Sequence, residues 1–186
     1  MKPFIPFVVV ALIFSNIIAV QCLDVDLMLE LCNIERKKAG VPPLSYNDDL
    51  GKVAQDHSKY MSQNDILTHD DPAGSLGTRF EKHGYSYSSA GENVAEGYDD
   101  EKSVMKGWME SPGHRANILK RSFKEAGFGK SGSYWTQDFG AGSGSGGKHS
   151  GKKVTDELSD TTDTTDKIVT KLSGKKNSKR RLEMTY

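Results

Sequence analysis

Five histidines, His57, His69, His83, His114 and His149, have the widest chemical range of any residues in this chain. Near neutral pH an imidazole can ligate a metal, move a proton, or fill a polar place in a core. His69 lies in the polar run Leu67-Thr68-His69-Asp70-Asp71. His114 follows Ser111-Pro112-Gly113, a helix start with Pro at the first helical position, where its missing N–H costs nothing. That places His114 in the first turn, where the positive end of the helix dipole disfavours imidazolium and leaves the neutral form that binds metal or accepts a proton. Glu92, in Gly91-Glu92-Asn93, sits among small residues that let other segments approach closely. One reading joins His69, Glu92 and His114 in a shared site; the other makes them satisfied polar residues in loops.

The remaining histidines read as structural. His57 shares a helical stripe with Leu50, Val53, Ala54 and Met61, as a hydrogen-bonded core residue would. His83 ends a short helix, where it meets the dipole's negative end. His149 falls in a Gly/Ser stretch with no stable neighbours. Other chemistries lack their patterns: there is no H-E-x-x-H helix, no G-x-S-x-G elbow, no phosphate loop and no dinucleotide fingerprint. Two cysteines, Cys22 and Cys32, exclude a disulfide-dense scaffold and a four-Cys zinc site. Cys32 lies on an apolar helical face and reads as a small buried hydrophobe.

The chain has 186 residues and no formal net charge, which argues against a general nucleic-acid binder. The balance hides a division: residues 23–140 carry 19 acids and 14 bases, and residues 141–186 carry 6 acids and 10 bases. Residues 1–22 begin with Lys2 and an apolar run from Phe4 to Val20. This is usually a secretory signal peptide, less often an uncleaved anchor, and a secreted protein is expected. Beyond Ala141, Gly-Ser-Gly-Ser-Gly-Gly reads as a flexible linker. The Thr/Asp and Lys/Arg tracts after it hold few apolar residues, so 141–186 is expected to be a disordered linker and basic tail, dispensable to the fold.

The body must supply the elements that position the histidines. Apolar spacing predicts a helix from Val25, capped by Asp24 and ended by Gly40 and Pro42-Pro43. A second begins near Asn47, a third spans Leu76 to His83 and a fourth spans Asp100 to Glu110. The fourth carries Val104, Met105, Trp108 and Met109 as its packing stripe, and a short helix follows Ser111, which can cap it. Ala126 to Lys130 and Tyr134 to Phe139 read as a hairpin joined by Ser131-Gly132-Ser133. Helices first and strands later point to an α+β fold.

In order, these residues resemble the CAP superfamily of cysteine-rich secretory proteins, antigen 5 and class 1 pathogenesis-related proteins, and its disulfide-poor bacterial and fungal branch most. The features are His57-Ser58 with Met61, Thr68-His69, Gly84-Tyr85, Gly91-Glu92-Asn93, Gly107-Trp108-Met109, Ser111 to Leu119, and Tyr134-Trp135-Thr136-Gln137-Asp138-Phe139-Gly140. The resemblance implies a three-layer α-β-α sandwich, with a cleft lined by two histidines and two glutamates. By position His69, Glu92 and His114 match three of these. The second glutamate's place is taken by Ser111, and Glu110 stands one residue early.

Members of this family are mostly extracellular and bind metals such as zinc through the two histidines, and some bind sterols or other lipids. The resemblance therefore implies a secreted, non-enzymatic binding module. It would hold Zn2+ through His69, Glu92 and His114, with a sterol, another lipid or an extracellular protein as partner, in defence or host interaction. The alternative is a metal-dependent, protease-like hydrolase in which Glu92 activates zinc-bound water.

Overall fold

The computed structural model describes residues 22–143 and 180–185. The expected signal peptide, residues 1–22, lies outside them apart from Cys22, as do His149 with the rest of 144–179 and Tyr186. The first helix, α1 (Val25–Lys38), starts where Asp24 accepts a hydrogen bond from the Leu27 N–H at 2.9 Å, and it gives way to Gly40 at φ 66°. The second, α2 (Asp48–Asn64), is capped by Asn47, whose side-chain oxygen accepts from the N–H groups of Asp49 and Leu50. Next come α3 (Leu76–Lys82), α4 (Glu101–Glu110), capped by Asp100, and α5 (Pro112–Ile118). These helices begin and end within a few residues of the sequence expectation, because caps and stops are local signals.

The strands are β1 (Ser45–Tyr46), β2 (Ser86–Glu96), β3 (Glu125–Ser131), β4 (Tyr134–Ser143) and β5 (Arg181–Thr185). They form one sheet in the order β1-β3-β4-β2-β5. Among the described residues only the β1–β3 pair is parallel. The hairpin turn between β3 and β4 is two residues, with Gly132 at φ 58°. The α2 and α3 helices pack on one face, and α1, α4 and α5 on the other, giving the three-layer α-β-α sandwich. Glycine sets the spacing of one interface. A Cβ on Gly127 or Gly129 would fall 2.2–2.3 Å from the backbone of Leu50 or Ala54, so α2 rests directly on β3.

The larger core cluster lies on the α1/α4/α5 side and includes Met28, Cys32, Trp108, Phe123 and Trp135. Among the described residues both cysteines are free, Cys22 exposed and Cys32 buried, and burial pushes the Cys32 thiol up to about 12. Ile34, whose helical spacing from Val25, Met28 and Leu31 would place it on the apolar face of α1, is 40% exposed; Arg36 is buried instead. Its guanidinium donates to the carbonyls of Pro42, Ile118, Lys120 and Phe123, at 2.7 to 3.3 Å. A buried cation is tolerated only when its donors are satisfied. Arg36 thereby ties α1 to the segment after α5.

Two departures concern strands. Residues 86–96 carry no strand signal, since Ser-Tyr-Ser-Ser-Ala-Gly-Glu-Asn lacks β-branched residues, yet they form an inner strand of the sheet. The tail also departs from the expected disorder at both of its described ends. β4 continues to Ser143, and residues 181–185 form β5, antiparallel to β2 with Glu92 opposite Thr185 and Val94 opposite Glu183. Composition averaged over 46 residues hides a five-residue strand, which needs only an open sheet edge and one apolar anchor. Leu182, packed on the main cluster, is that anchor.

Trp108 and Trp135 are fully buried in the same cluster, so both rings are structural. Replacing Trp108 with Ala is expected to cost about 3–5 kcal/mol of stability. Urea denaturation checks this, and a wild-type midpoint would show that α4 does not hold the core.

Candidate functional site

Glu92 is the centre of the site. It occupies the buried half of β2, with no exposure, opposite Asp138 of β4. Consecutive strand residues point to opposite faces, so Glu92 meets α3 while Asn93 meets α5. Arg79 of α3 grips the carboxylate with two hydrogen bonds, Nη1 to Oε2 at 2.8 Å and Nη2 to Oε1 at 3.1 Å. His69, in the loop between α2 and α3, donates from Nδ1 to Oε1 at 2.8 Å. Burial alone would raise the Glu92 pKa. The His69 hydrogen bond and the Arg79 and His57 charges outweigh it and hold the carboxyl low, at about 2. Asp138 shows the opposite result: burial, reinforced by the Glu92 charge, pushes it well above the usual carboxylate range.

These states fix the His69 tautomer. A carboxylate can only accept, so His69 carries its proton on Nδ1, and in the neutral ring Nε2 bears a lone pair. That Nε2 is buried and makes no hydrogen bond.

His114 is 3% exposed in α5. Ser111 does not cap this helix; its hydroxyl is 2.7 Å from His114 Nδ1. His114 Nε2 is 2.6 Å from the main-chain carbonyl of Glu183 in β5. A carbonyl only accepts, so Nε2 carries the proton and Nδ1 accepts from Ser111. Burial lowers the His114 pKa, the Glu183 hydrogen bond opposes this, and a charge on His69 would lower it further. Asn93 and Asn117 brace the arrangement: Asn93 Nδ2 donates to the His114 carbonyl, and Asn117 Nδ2 to Asn93 Oδ1.

The structure therefore brings His69 and Glu92 into contact and holds His114, in α5, against a main-chain carbonyl of the terminal strand. Glu110 stays out: its side chain is 68% exposed, 3.7 Å from Lys106. His57 is fully buried between Asp71, 2.8 Å from Nδ1, and the Thr68 carbonyl, 2.9 Å from Nε2. It anchors the loop that carries His69, in keeping with its structural reading. His83 sits at the C-terminus of α3, 3.3 Å from Asp56. Sequence reasoning missed Arg79, whose only signal was a basic residue inside a short helix, and the Glu183 carbonyl, which as a main-chain atom has no side-chain signal.

The residues present suit a divalent metal in part. Two imidazoles and an unpartnered buried Nε2 are suitable donors. Both Glu92 oxygens are already committed, which suits it to orienting His69 rather than to ligation. Among the described residues no group of three or more His, Cys, Asp or Glu is placed to hold a metal ion.

An α-β-α sandwich with this histidine–glutamate cluster defines a class of protein, and comparison with known families agrees. Residues 29–139 match CAP, the cysteine-rich secretory protein family, and the chain belongs to it. It is 42% identical over 115 residues to the uncharacterized protein YkwD of Bacillus subtilis, covering 60% of this chain and 45% of that protein. It is 32% identical over 108 residues to the human Golgi-associated plant pathogenesis-related protein 1, covering 55% of this chain and 70% of that protein. A crystal structure of an extracellular protein containing an SCP domain from Bacillus anthracis superposes with a TM-score of 0.61 at 34% identity, covering 62% of this chain and 39% of that one. The chain spans less than half the length of YkwD. Among the described residues no helix is long and apolar enough to cross a membrane.

Because the folded state holds Glu92 at about 2, below its ordinary 4.5, the unfolded chain binds more protons as pH falls between those values. The stabilisation from ionised Glu92 is complete above about 4.5 and is lost on acidification towards 2. Thermal melts from pH 5 to pH 2 should fall steeply in wild type and less steeply in Glu92→Gln. Arg79→Met, which leaves the buried carboxylate unpaired, should lose about 3–5 kcal/mol at neutral pH.

Proposed function

We propose that this protein is a secreted, extracellular binding module whose His69 and His114 hold one divalent metal, zinc by donor chemistry, with Glu92 orienting His69. The observation that carries this reading is His69 Nε2: a buried, unpartnered lone pair on an imidazole whose other nitrogen is fixed by an ionised carboxylate. Carboxylate–histidine pairs of this kind set the tautomer and raise the basicity of a metal ligand. A zinc ion bound here would act as a Lewis acid with open positions for a ligand. His114 must exchange its Glu183 contact before its Nε2 can ligate. The extracellular assignment rests on the apolar N-terminal run and on the extracellular SCP-domain relative.

The hydrolytic alternative asks Glu92 to take a proton from water. A carboxylate held at about 2, with both oxygens on Arg79 and His69, is a poor base at neutral pH. Binding is therefore the better reading. A lipid ligand would find its apolar surface in a groove of about 670 Å³ beside α1, lined by Ile34, Val41, Pro42 and Pro43.

Calorimetric titration of the full chain with zinc is expected to show one site that disappears in the His69→Ala/His114→Ala double variant. His57→Gln should melt lower yet keep that site. Equal zinc binding by wild type and the double variant would overturn the assignment.

A further inference from the structure

The strand β5 is held by side-chain and main-chain contacts that together describe a ligand. Arg180 lies over the Tyr98 ring, 5.2 Å from its centroid. Arg181 Nη1 is 3.5 Å from Glu96 Oε2, and Leu182 packs on the main core cluster. The Glu183 carbonyl accepts from His114 at 2.6 Å, and residues 181–185 pair with Glu92–Glu96 throughout. The acceptor edge lies entirely within the folded body. Tyr98 is 8% exposed, and Val94, Ala95 and His114 are buried. Only the occupant comes from the tail.

We propose that the β2 edge at Glu92–Glu96 is a binding site for extended peptides, and that the C-terminal strand is its resident and exchangeable occupant. The ligand class follows from the contacts: two basic residues, then an apolar one, then a main-chain carbonyl presented to His114. Main-chain pairing supplies affinity that depends little on sequence, while Tyr98, Glu96, the core contact and His114 supply selectivity, as in other cases of strand addition to an exposed edge. The cation over Tyr98 and the Glu96 pair would favour basic residues at these two positions. Thirty-six residues, 144–179, separate β4 from the docked segment, a reach of at most about 120 Å when fully extended. Being on the same chain, the resident strand meets the edge as an intramolecular ligand, at a local concentration a free peptide must exceed. A free peptide of the same class therefore binds well only when the resident strand is displaced. This site stands without the metal reading, since its contacts are those of strand and edge.

The test uses the full chain. Consecutive strand residues point their N–H groups to opposite sides, so Leu182→Pro/Glu183→Pro removes at least one donor facing β2 and fixes φ away from the strand value. The probe is a fluorescein-labelled peptide with the sequence of residues 178–186, followed by anisotropy, with a scrambled peptide as control. Amide exchange at residues 92–96 should be slow in wild type, fast in the double-proline variant, and slow again when the peptide is added. The peptide should bind the double-proline variant saturably and wild type at least tenfold more weakly. Adding His114→Ala to the double-proline variant should weaken it several-fold. Three results would overturn the site: exchange at 92–96 equally slow in wild type and the double-proline variant, no saturable binding to the variant once its edge is open, or equal binding of the scrambled peptide.

Discussion

A carboxylate buried without exposure in the middle of a sheet is the constraint to which the rest of the site answers. Stripping Glu92 of water is costly unless nearly every lone pair is met, and this structure meets them with Arg79 and His69. The same requirement explains several distant features. The short helix α3 positions Arg79, and His57 with Asp71 fixes the loop that supplies His69. Asp138, next to this charge across the ladder, is driven towards its neutral acid form. Glu92 thus neutralises a buried arginine and selects which nitrogen of His69 is bare.

The second organising feature is the edge of β2. An unpaired edge beside the buried His114 would leave main-chain groups without partners, and β5 supplies them. Its Glu183 carbonyl also selects the opposite tautomer in His114, with the proton on Nε2 and Ser111 serving Nδ1. The two histidines are therefore in different states for different reasons, one set by a carboxylate and the other by a peptide carbonyl. Any ligand that needs the His114 Nε2 lone pair must compete with the strand.

Much of this was legible from local signals. Asp24, Asn47 and Asp100 mark helix starts by chemistry that operates over three residues, and each caps the helix it was expected to begin. His69, Glu92 and His114 were named through family motifs; His69 meets Glu92 of β2, and His114 meets the Glu183 carbonyl of β5. What stayed hidden depends on non-local pairing. β2 is an inner strand because its neighbours cover it, and its Ser, Gly and Asn residues carry no strand signal of their own. Arg79 matters only through Glu92, thirteen positions away, and β5 only through an edge about ninety residues earlier in the chain.

The opposed tautomers of His69 and His114 are the most exposed part of this account. Long-range nitrogen–proton correlation spectra of the uniformly labelled full chain at neutral pH report which ring nitrogen of each histidine carries the proton. With assignments fixed by His69→Gln and His114→Gln, the expected result is a protonated Nδ1 and bare Nε2 for His69, and a protonated Nε2 for His114. A His69 ring protonated on Nε2 alone would contradict the claim that Glu92 holds it ready to ligate.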